Sequence, residues 1–491
     1  MIRRHALVRA LLGLLATAGL TLSQDSASSN ELAEPDGDPE TPTPPTKAYR
    51  EAVRTKGIGV KVGEIGPTGA ILWARVPPAD EVHFLRKRDF VAWFKSLFVE
   101  ADLQVRMKYG LLADASDGAW SGWSGVGEQS DFTAHWPLGD LRPGREYFYQ
   151  VEGSDEGLRS VHEPRTGRFR TAPKPSASQT VSFTVVGCQR YDRLDDPNGY
   201  AIYKSMERLN PDFTVLTGDT VYLDRGPVKA RSIELARDRW RRVYELPYLF
   251  EYHARVPAYW QKEDHDLLRD EAGPASPPLG ELTFEDGLKV FRDHTPVGDV
   301  PYRSFRWGSL AEVWLLEGRE FRDSNAAPDG PNKSLLGSAQ KAWLKSTLAA
   351  SDASWRILIT PTPIVGPDRA RFKRDNLSNS AWENESAELR SFFAEELGDN
   401  FFIITGDRHW QYCSVDPQGS VEEFCCGPAT DAHAGGSPGR DRHYHRFHRV
   451  LGGFLSVSVG REDGSDYAVV RLHSVEGQVV FEDRKTRPVR T

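Results

Sequence analysis

The run Phe401-Phe-Ile-Ile-Thr405-Gly406-Asp407-Arg408-His409-Trp410 decides the fold class. A short, continuously apolar segment bounded by turn residues is the pattern of a strand buried on both faces. The same ending recurs upstream, in Val181-Ser-Phe-Thr-Val-Val186-Gly187-Cys188 and in Phe213-Thr-Val-Leu-Thr217-Gly218-Asp219. In open α/β sheets, ligands collect outside the carboxyl ends of strands. Glycine lets the backbone turn sharply there. A single Gly-Asp is an ordinary turn signal. Repetition of the ending, each time with a potential ligand, points to a site.

Around these strands the texture alternates. Helical patterns near Tyr200–Arg208, Ala230–Tyr244, Ser338–Leu348 and Glu385–Glu396 are interleaved with strands at Ala311–Leu316 and Arg356–Ile359. Further strands at 454–460, 467–473 and 478–482 close the chain. This alternation predicts an α/β domain over 180–485, with helices covering the sheet. Upstream, Gly69–Val76, Leu103–Tyr109 and Leu141–Val151 read as strands with regular turn signals, which predicts a small all-β sandwich over 57–173. A basic and aromatic insertion near Val82–Phe98 reads as an amphipathic surface helix. No internal repeat is present.

At 491 residues the chain is long for one core, so two or three units are expected. Net charge is −8 with no long basic run, which disfavours a stable nucleic-acid partner. Arg3 and Arg4 precede an apolar run from Ala10 to Leu22, too short to span a bilayer and suited to a signal peptide over 1–23. The arginine pair fits either a twin-arginine signal, which implies that export machinery as a partner, or an ordinary secretory signal with a basic start. Residues 24–50, rich in Ser, Glu, Asp, Pro and Thr, read as a disordered linker. No later stretch is apolar enough for a transmembrane segment. An exported monomer, in the periplasm, at the cell surface or secreted, is therefore expected. The four cysteines, Cys188, Cys413, Cys425 and Cys426, are too few for a disulfide scaffold, and adjacent Cys425 and Cys426 would bridge only with strain.

The neighbours of the strand ends carry more chemistry. Tyr222 follows Asp219, and His409 follows Asp407. Lys262-Glu263-Asp264-His265-Asp266 places three carboxylates and an imidazole in five residues. Carboxylate, phenolate, imidazole and thiolate are the side chains that bind hard and borderline metals. Taken singly, each has a plainer alternative. A charge run is usually a solvated loop, a free cysteine is usually a small buried hydrophobe, and a tyrosine usually packs.

The pattern resembles the PhoD-like alkaline phosphatases, a branch of the calcineurin-like metallophosphoesterases, over about residues 57–485. The landmarks are Gly187-Cys188-Gln189, Gly218-Asp219-Thr-Val-Tyr222, Glu263-Asp264-His265-Asp266, Tyr302-Arg-Ser-Phe-Arg-Trp-Gly308, Leu335-Leu-Gly-x-x-Gln340-x-x-Trp343-Leu344 and Gly406-Asp407-Arg-His409-Trp410. The resemblance implies a four-layer αββα sandwich preceded by a fibronectin III- or immunoglobulin-like domain. It implies one iron (Fe3+) and one or two calcium ions (Ca2+). Cys188 and Tyr222 would ligate iron, Asp219 would bridge, and Asp264, Asp407 and His409 would complete the metal set. His265 would lie over the substrate as general acid. Arg319 and Arg322 are candidates for gripping phosphate oxygens, against the alternative of surface ion pairs with Glu320 or Asp323. The family usually has Trp-Asp or Asp-Asp before the Asp-His where this chain has Lys262-Glu263, and Leu-Asp-x-Arg where it has Leu316-Glu317-Gly318-Arg319. The implied function is hydrolysis of phosphate mono- or diesters by metal-activated hydroxide, with two cations about 3.5–4 Å apart clamping the attacking and leaving oxygens. The alternatives are another hydrolase on the same metals, such as a phytase, nuclease or phospholipase-type diesterase, or an inactive exported binding protein. The tract Asp441–Arg449, with His443, His445 and His448, is read as solvated and left outside the site.

Overall fold

Strand Phe401–Thr405 shows how the sequence pattern becomes layers. Phe402 and Ile404 point into the core between two sheets, while Phe401 and Ile403 point the other way, under helices. A strand covered on both faces needs an unbroken apolar run, and this one has it. The structure, a computed structural model, describes residues 45–78, 103–155, 159–369, 373–418 and 421–489. The signal-peptide segment, most of the expected linker and the Val82–Phe98 insertion lie outside the described residues.

A seven-stranded sheet contains, in order, Arg303–Trp307, Ala311–Leu315, Trp355–Thr360, Phe401–Thr405, Glu422–Cys425, Gln411–Val415 and His445–Arg449. A six-stranded sheet contains Ala258–Trp260, Phe213–Leu216, Val181–Val186, Phe454–Glu462, Ser465–His473 and Val479–Pro488. Their inner faces meet in one core that includes Phe183, Val215, Val313, Ile357 and Ile404. Helices Ile202–Arg208, Ile233–Tyr244 and Phe284–His294 cover the outer face of the six-stranded sheet, burying Tyr203, Trp240 and Phe291 against Leu216 and Trp260. Helices Ser338–Ala350 and Glu383–Glu396 cover the other sheet, packing Leu344 and Phe393 with Leu358 and Ile403. The result is a four-layer αββα sandwich.

The N-terminal region is all β, with a three-stranded and a four-stranded antiparallel sheet. Its core residues Val62, Leu72, Val105 and Phe169 are continuous with the core between the large sheets, and residues 40–491 form one compact unit. Polar ties cross the same junction. The Tyr149 hydroxyl donates to Ala254 O (3.0 Å), and Arg303 Nε donates to the Glu64 carboxylate (2.8 Å).

One boundary differs from the expectation. Residues 45–50, assigned above to the linker, are already held in place. A short helix, Lys47–Arg50, is capped by Thr46, whose hydroxyl also donates to Leu194 O (2.7 Å), and Tyr49 packs edge-on against Tyr191. The aromatic and capping residues supply the contacts that the preceding Pro/Glu/Ser composition lacks. No helix of the described residues is long and apolar enough to cross a membrane.

Candidate metal centre

Parallel register aligns the strand ends. Val186 pairs with Leu216, and Leu216 with Trp260, so Cys188, Asp219 and Asp264 leave one edge of the six-stranded sheet together. In the facing sheet, Ile359 pairs with Leu315 and Ile404, and Thr405 with Cys425, so Arg319 and Asp407–His409 leave the matching edge. Gln261 ties the edges together, donating from Nε2 to Leu316 O and Ile359 O at 2.9 Å each. The sheets come so close here that a Cβ on Gly406 would sit 2.2 Å from Thr217 Oγ1.

The sharp turns fall on the ligand candidates as well as on the glycines. Cys188, Asp219 and Asp407 have φ of 51°, 54° and 61°, the left-handed region that costs L-residues energy. Asp266 holds the turn of Asp219 in place. Its carboxylate accepts from the backbone N–H of Asp219 (2.7 Å), Thr220 (2.8 Å), Val221 (2.8 Å) and Glu263 (2.9 Å), and from the Thr220 hydroxyl (3.0 Å). The acidic run 263–266 is therefore no solvated loop: all four residues are buried.

Two sets of potential ligand atoms share Asp219. Cys188, Asp219 and His409 form one, and Asp219, Asp264 and His265 the other, each with atoms within 4.8 Å of one another. Tyr222 joins through its hydroxyl, 3.0 Å from Asp219 Oδ2, and Cys188 Sγ lies 3.7 Å from the same oxygen. Asp407 stands at the edge, with Oδ2 engaged by Arg408. Burial pushes the Asp219 carboxyl well up, and the nearby Asp264, Asp266 and Asp407 charges add to this against His265. Burial, then His433 and Arg369, hold the His409 imidazole well below its usual value, in the neutral form that ligates metals.

These residues fit a cation. Asp219 Oδ1 and Glu263 Oε1 are buried without a hydrogen-bond partner. Buried carboxylate oxygens are expected to be satisfied, and a metal at the Asp219 groups would satisfy Asp219 Oδ1. The thiol, the phenol and the His409 imidazole lie around one side of Asp219, and the Asp264 carboxylate and the His265 imidazole around the other.

His265 stacks on Tyr222, with centroids 4.4 Å apart, and its Nδ1 meets Asp224 Oδ1 at 2.7 Å, leaving Nε2 on the side of Asp270 (3.8 Å). Arg319 has no exposed surface. Its guanidinium is engaged by Glu263, by Asp264 (3.5 Å) and by Asp375 (3.8 Å). Arg322 is buried over Trp382 and donates to Asn325 and to Asp375 O, while Nε and Nη1 have no hydrogen-bond partner. Glu320 pairs instead with Lys262 (2.7 Å) and Arg292 (3.2 Å), and Asp323 accepts from Ser334 N (2.8 Å). The two departures from the family pattern touch each other: Lys262 Nζ lies 3.3 Å from Glu317, whose carboxylate also accepts from the N–H of Arg319 and Glu320.

Three residues near the site were not singled out from sequence. Asp224 orients His265. His433 lies between Tyr222 (5.4 Å) and His409 (4.0 Å), with Nδ1 against Cys188 O. Asp375 sits among Arg319, Arg322, Arg408 and Lys373, which hold its carboxyl far below the usual range against its burial. Asp224 follows Tyr222 by two residues and was within reach of the sequence pattern, whereas Asp375 and His433 arrive from loops distant in sequence and carry no spacing signal. In the His tract, His443 is exposed, His445 is buried and His448 Nε2 meets the Ser437 hydroxyl (2.6 Å).

Residues 183–451 match the family described as PhoD-like phosphatase, and residues 43–173 match its N-terminal domain. Alkaline phosphatase D of Bacillus subtilis (strain 168) is 24% identical over 326 residues, covering 57% of this chain and 54% of that protein. The chain thus spans about half the length of the curated relative it matches. Among solved structures, that of PhoD superposes with a TM-score of 0.69 at 19% identity, over 87% of this chain and 88% of the other. The purple acid phosphatase PPD1 from yellow lupin seeds shares the fold at a TM-score of 0.59 and 12% identity, over 88% and 75%. The chain belongs to the PhoD-like phosphatase family.

Proposed function

We propose that the chain is an exported, metal-dependent phosphoesterase that hydrolyses phosphate mono- or diesters. The convergence of Cys188, Asp219, Tyr222, Asp264 and His409 on one point, with Asp219 Oδ1 left unpartnered, carries this assignment. Cys188, Tyr222 and His409 suit iron, the oxygens of Asp264 and Asp407 suit calcium, and Asp219 lies between. Bound there, the metals supply Lewis-acid activation of water and stabilise charge on the phosphoryl oxygens.

The chain's own residues do the rest. Asp266 fixes the turn that aims Asp219. Asp224 keeps the Nδ1 proton of His265 engaged, so Nε2 is the nitrogen that hands a proton to the leaving oxygen. Arg319, wholly buried behind Glu263 and Asp264, acts as a positioning residue for those carboxylates rather than as a grip on substrate. Arg322, with Nε and Nη1 unused and without the carboxylate partners that hold Arg319, is the better placed of the two to meet phosphate oxygens.

The test is metal content followed by hydrolysis of a chromogenic monoester and diester, with and without added calcium, in wild type and Asp219→Asn. Wild type should hold metal and turn over, and the variant should lose both. Full activity in Asp219→Asn would refute the assignment. Cell fractionation tests export.

A further inference from the structure

We propose that a second binding site, for a compact oxyanion, lies in the cavity between the strand Gly59–Gly63 and the helix Ile233–Tyr244. It does not depend on the phosphoesterase assignment. The cavity is small, opens to solvent, and is lined by Lys61, Trp73, Trp240, Tyr244, Phe250 and His253 among others.

Its walls present polar groups that the protein leaves wholly or partly unused. Lys61 is 2% exposed, and Nζ donates to a single acceptor, His294 O, at 2.6 Å. The rest of its charge faces rings, 3.3 Å from the Tyr244 centroid and 4.3 Å from Trp73. His253 is also 2% exposed, and neither ring nitrogen has a hydrogen-bond partner. Trp240 Nε1, with no exposed surface, is likewise unpartnered. Glu245, the one carboxylate lining the cavity, is engaged by Arg54 at 2.6 Å and lies 3.6 Å from Arg75.

Buried donors are normally satisfied. Lys61, Arg75 and Arg241 along the walls disfavour a cation, and the one free lone pair of a neutral His253 is too little to hold it. An oxyanion offers several lone pairs in a small volume, and the aromatic walls strengthen its contacts by lowering the local dielectric. Burial holds both Lys61 and His253 well below their usual values, and a bound negative charge would restore them. The position adds interest. Tyr244 also accepts from Trp260 Nε1 (2.8 Å) and lies beside Thr220, which binds Asp266 behind the metal centre.

The experiment uses selenate, whose anomalous scattering locates it, with crystals and calorimetry of the full chain. Wild type should show a selenium peak within hydrogen-bond distance of Lys61 Nζ and His253. In Lys61→Met the peak should vanish and the calorimetric affinity of that site fall at least about tenfold, the loss of a charged hydrogen bond. His253→Phe keeps a planar ring, somewhat larger than the imidazole and without its nitrogens, and should also lose the peak, which covers the case of a Lys61→Met chain that fails to fold. No peak in wild type, a peak confined to the metal centre, or equal occupancy in either variant overturns the proposal.

Discussion

Asp266→Asn tests whether the ligand turn is held in place by one carboxylate. Asp266 has no exposed surface and receives four backbone N–H groups and one hydroxyl. Asparagine keeps the shape but turns one oxygen into an NH2 donor. With the amide nitrogen at Oδ2, the N–H groups of Asp219 and Glu263 lose their acceptor. With it at Oδ1, those of Thr220 and Val221 do. Either way two buried donors are stranded, at about 1–3 kcal/mol each, so the variant should lose roughly 2–6 kcal/mol. That is a large share of the stability of a folded domain. Urea unfolding of the metal-free chain, followed by tryptophan fluorescence, reads the loss directly. Metal stoichiometry should fall with it, because Asp219 is no longer aimed. An unfolding free energy within about 0.5 kcal/mol of wild type, with metal retained, would refute the account.

Other consequences can be checked alongside it. His265→Asn should lower kcat by about 10²–10⁴-fold while metal content is kept, and loss of metal instead would make His265 a ligand. Arg319→Met strands the buried carboxylates of Glu263 and Asp264 and should destabilise by about 3–5 kcal/mol in the same urea assay. Gly218→Ala places a side chain at φ 93° with its Cβ 2.8 Å from Glu263 N, and should yield little folded protein in a solubility and circular-dichroism comparison. Burial holds His294 down to about 4, although Asp131 lies 3.0 Å away, because Arg75 and Arg241 already take that carboxylate's charge. A folded value below the unfolded one means stability is present above about pH 6.5 and lost as pH falls from there through 4. His294→Gln should flatten that part of the stability–pH curve, and an unchanged slope would contradict it.

Much of the site was legible because strand burial and ligand placement use the same local code. The apolar run before Gly406-Asp407 announces both a strand covered on two faces and a turn at its carboxyl end. The helices and strands of the α/β part fall close to where periodicity puts them. Glycine explained few of the turns: Gly218 is left-handed, but the left-handed backbone otherwise lies on Cys188, Asp219 and Asp407, where aspartate has some tendency toward it and cysteine has none. Glu263–Asp266 carries the signature of a solvated charge run, and only the tertiary packing against Arg319 and the Asp219 turn reveals it as buried. The sequence leaves Arg319 open between a phosphate grip and a surface ion pair, because an arginine after a strand end says nothing about which side of the sheet edge it enters. Lys262 opposite Glu317 shows why paired departures are hard to read singly: neither makes sense until the two sheets bring them to 3.3 Å.

The left-handed turns at Cys188, Asp219 and Asp407 also bear on how such a chain could drift or be redesigned. Each costs an ordinary side chain about 1–2 kcal/mol that glycine avoids and asparagine bears more easily. Selection for folding alone would therefore favour Gly at all three positions, most strongly at Cys188, since aspartate shares asparagine's tolerance. Retention of thiol and carboxylate there is a mark of selection for the site rather than for the scaffold. The same asymmetry gives a design rule: a metal-dead control made with Asn or Gly at these positions should be at least as stable as the metal-free parent, so any loss of activity in it can be read as chemistry.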